Sequence, residues 1–161
     1  MFLRQPISHL FELCESKLKR TLLLVHGFRS VQEQMLIYQK GRTYNRESGV
    51  WEVTSKGEVV SNAKPGQSAH NVVTKLDGKP AALAVDVIPF TADGGLNWNP
   101  PESFWDSLYE LAWKVGLDPL GDPIGAYLPG DAGHFEEPGW RYKLADMGLI
   151  LPTSEMSRSR V

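Results

Sequence analysis

The chain has 161 residues, of which 42% are hydrophobic and 22% charged, and a formal charge of −2. That is enough apolar material for one core, and the near-neutral balance gives no electrostatic reason to expect nucleic acid or an anionic membrane as partner. The single cysteine, Cys14, excludes an internal disulfide and leaves no set of thiolates for a metal. Met1 to Arg20 shows no basic region followed by an apolar run and a cleavage site, so we expect no signal peptide and synthesis in a cytoplasm. Pro6 to Lys19 predicts a first helix with Ile7, Leu10, Phe11, Cys14 and Leu18 on one face. Thr21 to Val25 is a short apolar run, expected as a buried strand that delivers His26-Gly27-Phe28-Arg29 to its end. Ser30 opens a second helix, with Glu33 at capping-box spacing and Gly41 as its stop. Residues 43–68 are polar and read as an extended loop with room for one hairpin. Ala81 to Ile88 predicts a second apolar strand, closed by Pro89. Asn99-Pro100-Pro101-Glu102 opens a helix, Asn99 as its cap, that runs through Phe104, Trp105, Leu108, Leu111, Ala112 and Val115 to Gly116. Residues 117–133 are irregular, His134-Phe135 is a short strand, and Trp140 to Met147 a last short helix. No repeat or second domain is visible. We expect one domain over 1–153 and a polar tail over 154–161.

The chemistry lies in Ser68-Ala69-His70, Ala84-Val85-Asp86 and Asp131-Ala132-Gly133-His134. Two imidazoles and a carboxylate suit a divalent metal such as zinc, and three protein ligands leave one tetrahedral position open for a water. Asp86 lies inside an apolar strand, where an ionised carboxylate is costly unless something compensates it. Asp131, three residues before His134, is placed to take that water's proton. Arg29, at the end of the first strand, offers a rigid fork of donors for a carboxylate or a developing oxyanion. Each residue also has a plain reading. His70 would be a solvent-exposed loop histidine, His134 a satisfied core histidine, Asp131 a turn residue after Pro129-Gly130, and Arg29 half of a surface ion pair. His9 and His26 are read as structural, the helix around Trp105 and Trp113 as core, and Glu136 and Glu137 as either outer contacts of the last ligand or surface.

Gly27-Phe28-Arg29-Ser30, Glu33-Gln34, Ile37-Tyr38 and Gly41-Arg42-Thr43, followed by Lys64 to Asn71, Leu83 to Val87 and Asp131 to Glu136, resemble in order the zinc-dependent peptidoglycan peptidases of the D-Ala-D-Ala carboxypeptidase/VanY family. The resemblance covers roughly residues 20–137, and the compact phage endolysins that cut the L-alanyl-D-glutamate bond are its nearest branch. It implies an α+β fold, a small antiparallel sheet with helices packed on it and the metal on the sheet's open face. It implies Zn2+ held by His70, Asp86 and His134, Asp131 as catalytic base, Arg29 as a substrate and oxyanion donor, and Ser68 as a substrate contact. The family places its metal-binding Asp seven residues after the first His, which here is Asp77 in an Asp-Gly turn dipeptide. Sequence context selects Asp86 instead, which makes residues 72–80 an insertion beside the cleft.

By the same resemblance the substrate is the peptidoglycan stem peptide, cut between L-Ala and D-Glu. D-Ala-D-Ala carboxypeptidase or cross-bridge endopeptidase activity on the same site is the alternative, and a non-catalytic metal-stabilised module a further one. A wall enzyme without a signal peptide needs another exit, and release of a phage lysis protein through a separate holin supplies one. We expect a monomer without membrane insertion.

Overall fold

The computed structural model describes residues 3–71, 74–76, 79–119 and 132–140, with the backbone alone for 74–76 and 79–81. Helix α1 spans Arg4–Leu13 and runs on through one π turn, Cys14–Leu18. It buries Ile7, Leu10 and Cys14, which recur on one helical face, and ends at Lys19 in the left-handed conformation (φ 55°). Strand β1 is Leu22–His26. Helix α2, Val31–Tyr38, starts in the expected capping box: Ser30 Oγ accepts from the Glu33 N–H and Glu33 Oε2 from the Ser30 N–H. Strands β2 (Arg42–Asn45) and β3 (Val50–Val53) form a hairpin within the segment read as a loop. A second hairpin, β4 (Thr74–Leu76) with β5 (Lys79–Ala81), occupies the predicted insertion. Strand β6 is Ala84–Pro89, helix α3 is Glu102–Lys114, and β7 (Asp118–Pro119) and β8 (His134–Glu136) complete the element order.

Strands β1, β6, β8 and β7, in that spatial order, make an antiparallel sheet. Successive side chains of a strand face opposite sides, and here that alternation sorts core from site. Val85, Val87 and Phe135 join Ile7, Leu10 and Cys14 beneath and Leu108, Tyr109, Leu111 and Ala112 of α3 in one core. Fully burying a side chain such as Phe135 or Leu108 is worth roughly 1.5–3 kcal/mol. Asp86 and His134, directly opposite each other in the register, therefore lie on the other face. The fold is α+β with α1 and α3 packed on one face of a small antiparallel sheet, as expected. No described helix is long and apolar enough to cross a membrane.

Three expectations are corrected. Strand β1 sits at the sheet edge, so Leu23 and Leu24 are exposed and only Leu22 of the apolar run is buried. Ala81 belongs to the inserted hairpin, and β6 starts at Ala84. Asn99 does not cap α3. Pro101 occupies that position in an extended conformation, because the residue before a proline is driven out of the helical region and both Asn99 and Pro100 precede one. The predicted helix at 140–147 and the tail fall, from residue 141 onward, outside the described residues, as do Asp77 and Asp131.

Candidate metal centre

Three elements converge on the open face. Asp86 comes from β6 and His134 from β8, paired across the sheet. His70 comes from a single 3-10 turn, Ala69–Asn71, and is 2% exposed, which overturns the reading of a solvated loop histidine. Its Nδ1 lies 2.7 Å from the Gly27 carbonyl oxygen. A carbonyl only accepts, so Nδ1 carries the proton and Nε2 keeps its lone pair for the site. The Ser68 hydroxyl accepts the His70 N–H at 3.3 Å, so this serine braces the turn from within.

His70 Nε2 and His134 Nδ1 lie 3.2 Å apart, His70 Nε2 lies 3.3 Å from Asp86 Oδ1, and His134 Nδ1 lies 3.0 Å from the same oxygen. Ligands held ~2.0–2.1 Å from one ion at tetrahedral angles stand about 3.3 Å from one another. The triangle thus fits a single zinc-sized ion, and among the described residues this trio is the one group of metal-binding side chains so disposed. Burial pushes the Asp86 carboxyl up, but the His134 and His70 rings outweigh it when their facing nitrogens carry protons and hold the group well below the ordinary carboxylate range; those protons are the ones a bound metal displaces. The carboxylate is therefore ionised, as a metal ligand must be.

Glycine at position 133 is demanded by space. A Cβ there would lie 2.2 Å from the Val87 carbonyl oxygen, since the two backbones cross closely and Val87 N–H donates to Gly133 O at 2.9 Å. That bond continues the β6–β8 pairing one residue beyond His134. The Tyr109 hydroxyl, reaching from α3, donates to the Ala132 carbonyl at 2.9 Å and anchors the same approach.

Arg29 is 14% exposed in its side chain, and its Nη2 lies 3.6 Å from Asp86 Oδ2 while Nη1 donates to Gln34 Oε1 at 3.0 Å. Gln34 is fully buried and donates through Nε2 to Ser61 Oγ and the Ala63 carbonyl. Arg29's backbone is clamped to the His70 turn, its N–H donating to His70 O and its carbonyl accepting from Asn71 Nδ2, both at 2.9 Å. Sequence reading missed Gln34 as the guanidinium's holder. A polar residue next to the capping glutamate gives no sign that it is buried.

His26 was read as structural, and the structure puts its Nδ1 3.6 Å from Asp86 Oδ2. The cause is a β-bulge. Leu24 pairs with Val87 but His26 with Asp86, so Val25 is an extra residue on β1 and His26 is turned onto the metal face. In unbroken register it would sit opposite Val85 and face the core.

No family model matches the chain. It is 29% identical over 108 residues to the peptidoglycan L-alanyl-D-glutamate endopeptidase CwlK of Bacillus subtilis (strain 168), a match over 63% of this chain and 53% of that protein. The chain thus matches only about half of that relative's length. Two solved structures share the fold with a TM-score of 0.55. One is a vancomycin-resistance D,D-pentapeptidase, VanY, in complex with Zn(II), 17% identical over 91% of this chain and 78% of that one. The other is VanYB in complex with D-alanine-D-alanine, 18% identical over 98% of this chain and 81% of that one. In its fold, in the order of its motifs and in its likeness to the B. subtilis protein, the chain is similar to peptidases of the D-Ala-D-Ala carboxypeptidase/VanY type.

Proposed function

We propose that the chain is a zinc peptidase that hydrolyses the peptidoglycan stem peptide between L-Ala and D-Glu. The observation that carries the reading is the His70–Asp86–His134 triangle, sized for one ion, with the Arg29 guanidinium beside it. The likeness to an L-alanyl-D-glutamate endopeptidase supports the choice of bond. When bound, zinc supplies a Lewis acid that polarises a carbonyl and lowers the pKa of a water from about 15.7 towards ~7. Asp131 takes the proton from the attacking water and returns it to the leaving amine as the C–N bond breaks. Arg29 stands at the rim of the triangle and stabilises the oxyanion or binds the D-Glu carboxyl with two parallel hydrogen bonds. Its link to buried Gln34 restricts the guanidinium, so little rotamer entropy remains to be lost on binding. Ser68 keeps the first ligand's turn in place through its bond from the His70 N–H, and the family resemblance makes it a substrate contact as well. A lysis role for a phage, with release through a holin, is part of the same proposal.

Mass spectrometry of purified sacculi after digestion tests the bond. The expected products carry new N-terminal D-Glu and leave MurNAc-L-Ala on the glycan. Free D-Ala, or stems cut only at the cross-link, would assign a carboxypeptidase or a cross-bridge endopeptidase. Zinc binding without any cleavage would leave the non-catalytic module.

A further inference from the structure

We propose that Glu136 is a positioning residue of the metal centre, one that fixes the tautomer and orientation of the His134 ring; this rests on His134 being a metal ligand. Glu136 stands two residues after His134 on β8, so alternation puts both side chains on the open face. Its Oε2 lies 3.4 Å from His134 Nε2, at the long end of hydrogen bonding. The Glu136 side chain is only 13% exposed, and among the described residues no lysine or arginine comes within ion-pair distance of it. A carboxylate so far withdrawn from water needs a donor, and among the described residues the one that faces it is this ring nitrogen.

The consequence concerns the other side of the ring. A carboxylate accepts, so Nε2 carries the proton and Nδ1 keeps its lone pair. Nδ1 is the atom that points at Asp86 Oδ1 and His70 Nε2. The two histidines are thus prepared in opposite senses. His70 is protonated at Nδ1 by contact with Gly27 O and offers Nε2, whereas His134 is held at Nε2 and offers Nδ1. A histidine ligand whose far N–H meets a carboxylate is better oriented and more basic, and losing such a partner typically weakens metal affinity by ~10–100-fold.

Zinc affinity, measured by competition against a chromogenic chelator, decides the matter for wild type, Glu136→Ala, Glu136→Gln and His134→Ala, with the melting temperature of each zinc-free protein recorded alongside. We expect Glu136→Ala to bind zinc ~10–100-fold more weakly at an unchanged zinc-free melting temperature. Glu136→Gln, which keeps an acceptor oxygen in place, should recover most of that loss. Wild-type affinity in Glu136→Ala would overturn the proposal. So would a loss that Gln does not relieve, or one accompanied by a fall in zinc-free melting temperature, since either means general structural damage. If wild type and His134→Ala both fail to bind zinc, the metal reading itself is wrong, which is a different result from tight binding that ignores Glu136.

Discussion

Gly133→Ala is the sharpest test of how the sheet builds the site, because it changes one methyl group and no chemistry. The added Cβ would stand 2.2 Å from the Val87 carbonyl oxygen, against 3.4–4 Å for ordinary contact, and the obstacle is backbone that no side-chain rotation can clear. The strands must part by roughly 1 Å, since close-packed interiors have no slack to absorb the overlap. Parting them sacrifices the Val87 N–H to Gly133 O bond, worth about 1 kcal/mol, and overpacking adds ~1–3 kcal/mol. For a chain of this length each kcal/mol lowers the melting temperature by about 2–4 °C, so the zinc-free variant should melt roughly 5–15 °C below wild type. His134 is the next residue, and metal distances tolerate only about ±0.2 Å, so zinc affinity should fall by at least ~10-fold as well. Thermal melts in the presence of chelator, paired with zinc titrations, read both effects. A zinc-free melt within ~1 °C of wild type together with unchanged zinc affinity would show that the crossing is loose and that position 133 needs no glycine.

Three further outcomes are expected. Asp86→Ala should lose stoichiometric zinc by metal analysis while Asp77→Ala retains it; the reverse would restore the seven-residue spacing. Asp131→Ala should keep its zinc and its melting temperature yet hydrolyse peptidoglycan ~10²–10⁴-fold more slowly, and activity within a few-fold of wild type would demote Asp131 to a turn residue. Arg29→Lys keeps the charge but cannot donate to Gln34 Oε1 and face Asp86 at once, so turnover should fall by roughly tenfold or more despite the conservative exchange.

Much of this molecule could be read from its residues, for reasons that differ by element. The capping box at Ser30 and Glu33 is local chemistry, so it needed no tertiary knowledge. Asp86 stood out because an acid amid Ala84, Val85, Val87 and Ile88 requires a partner, and alternation then places it away from the core. What could not be read depends on register. Nothing in Leu22-Leu23-Leu24-Val25 marks Val25 as a bulge, and without the bulge His26 belongs to the core face. Gln34 was equally obscure, and for Glu136 the sequence left an outer contact of the last ligand and a surface position equally open, since their burial is decided by segments distant in sequence or by the pairing of short strands.

On the proposed assignment of Asp86, the departure from seven-residue spacing has a physical explanation in the same geometry. The insertion leaves from the His70 turn and returns to β6, and its base is closed by Leu83 N–H donating to the Ala69 carbonyl at 3.1 Å. His70 is held independently, by Gly27 O on its ring and by Arg29 N–H on its carbonyl. Asp86 is held by pairing with β1 and β8. Neither ligand therefore relies on the connection between them for its position. The β4–β5 pairing orders much of that connection on its own, and lengthening a closed loop costs only about 0.6 kcal/mol per doubling. A hairpin can be inserted there with little strain on the metal triangle. If Asp86→Ala loses zinc and Asp77→Ala keeps it, ligand spacing along the chain is a weak guide at this point in the fold, and residue context, set by the strand that the ligand must occupy, is the stronger one.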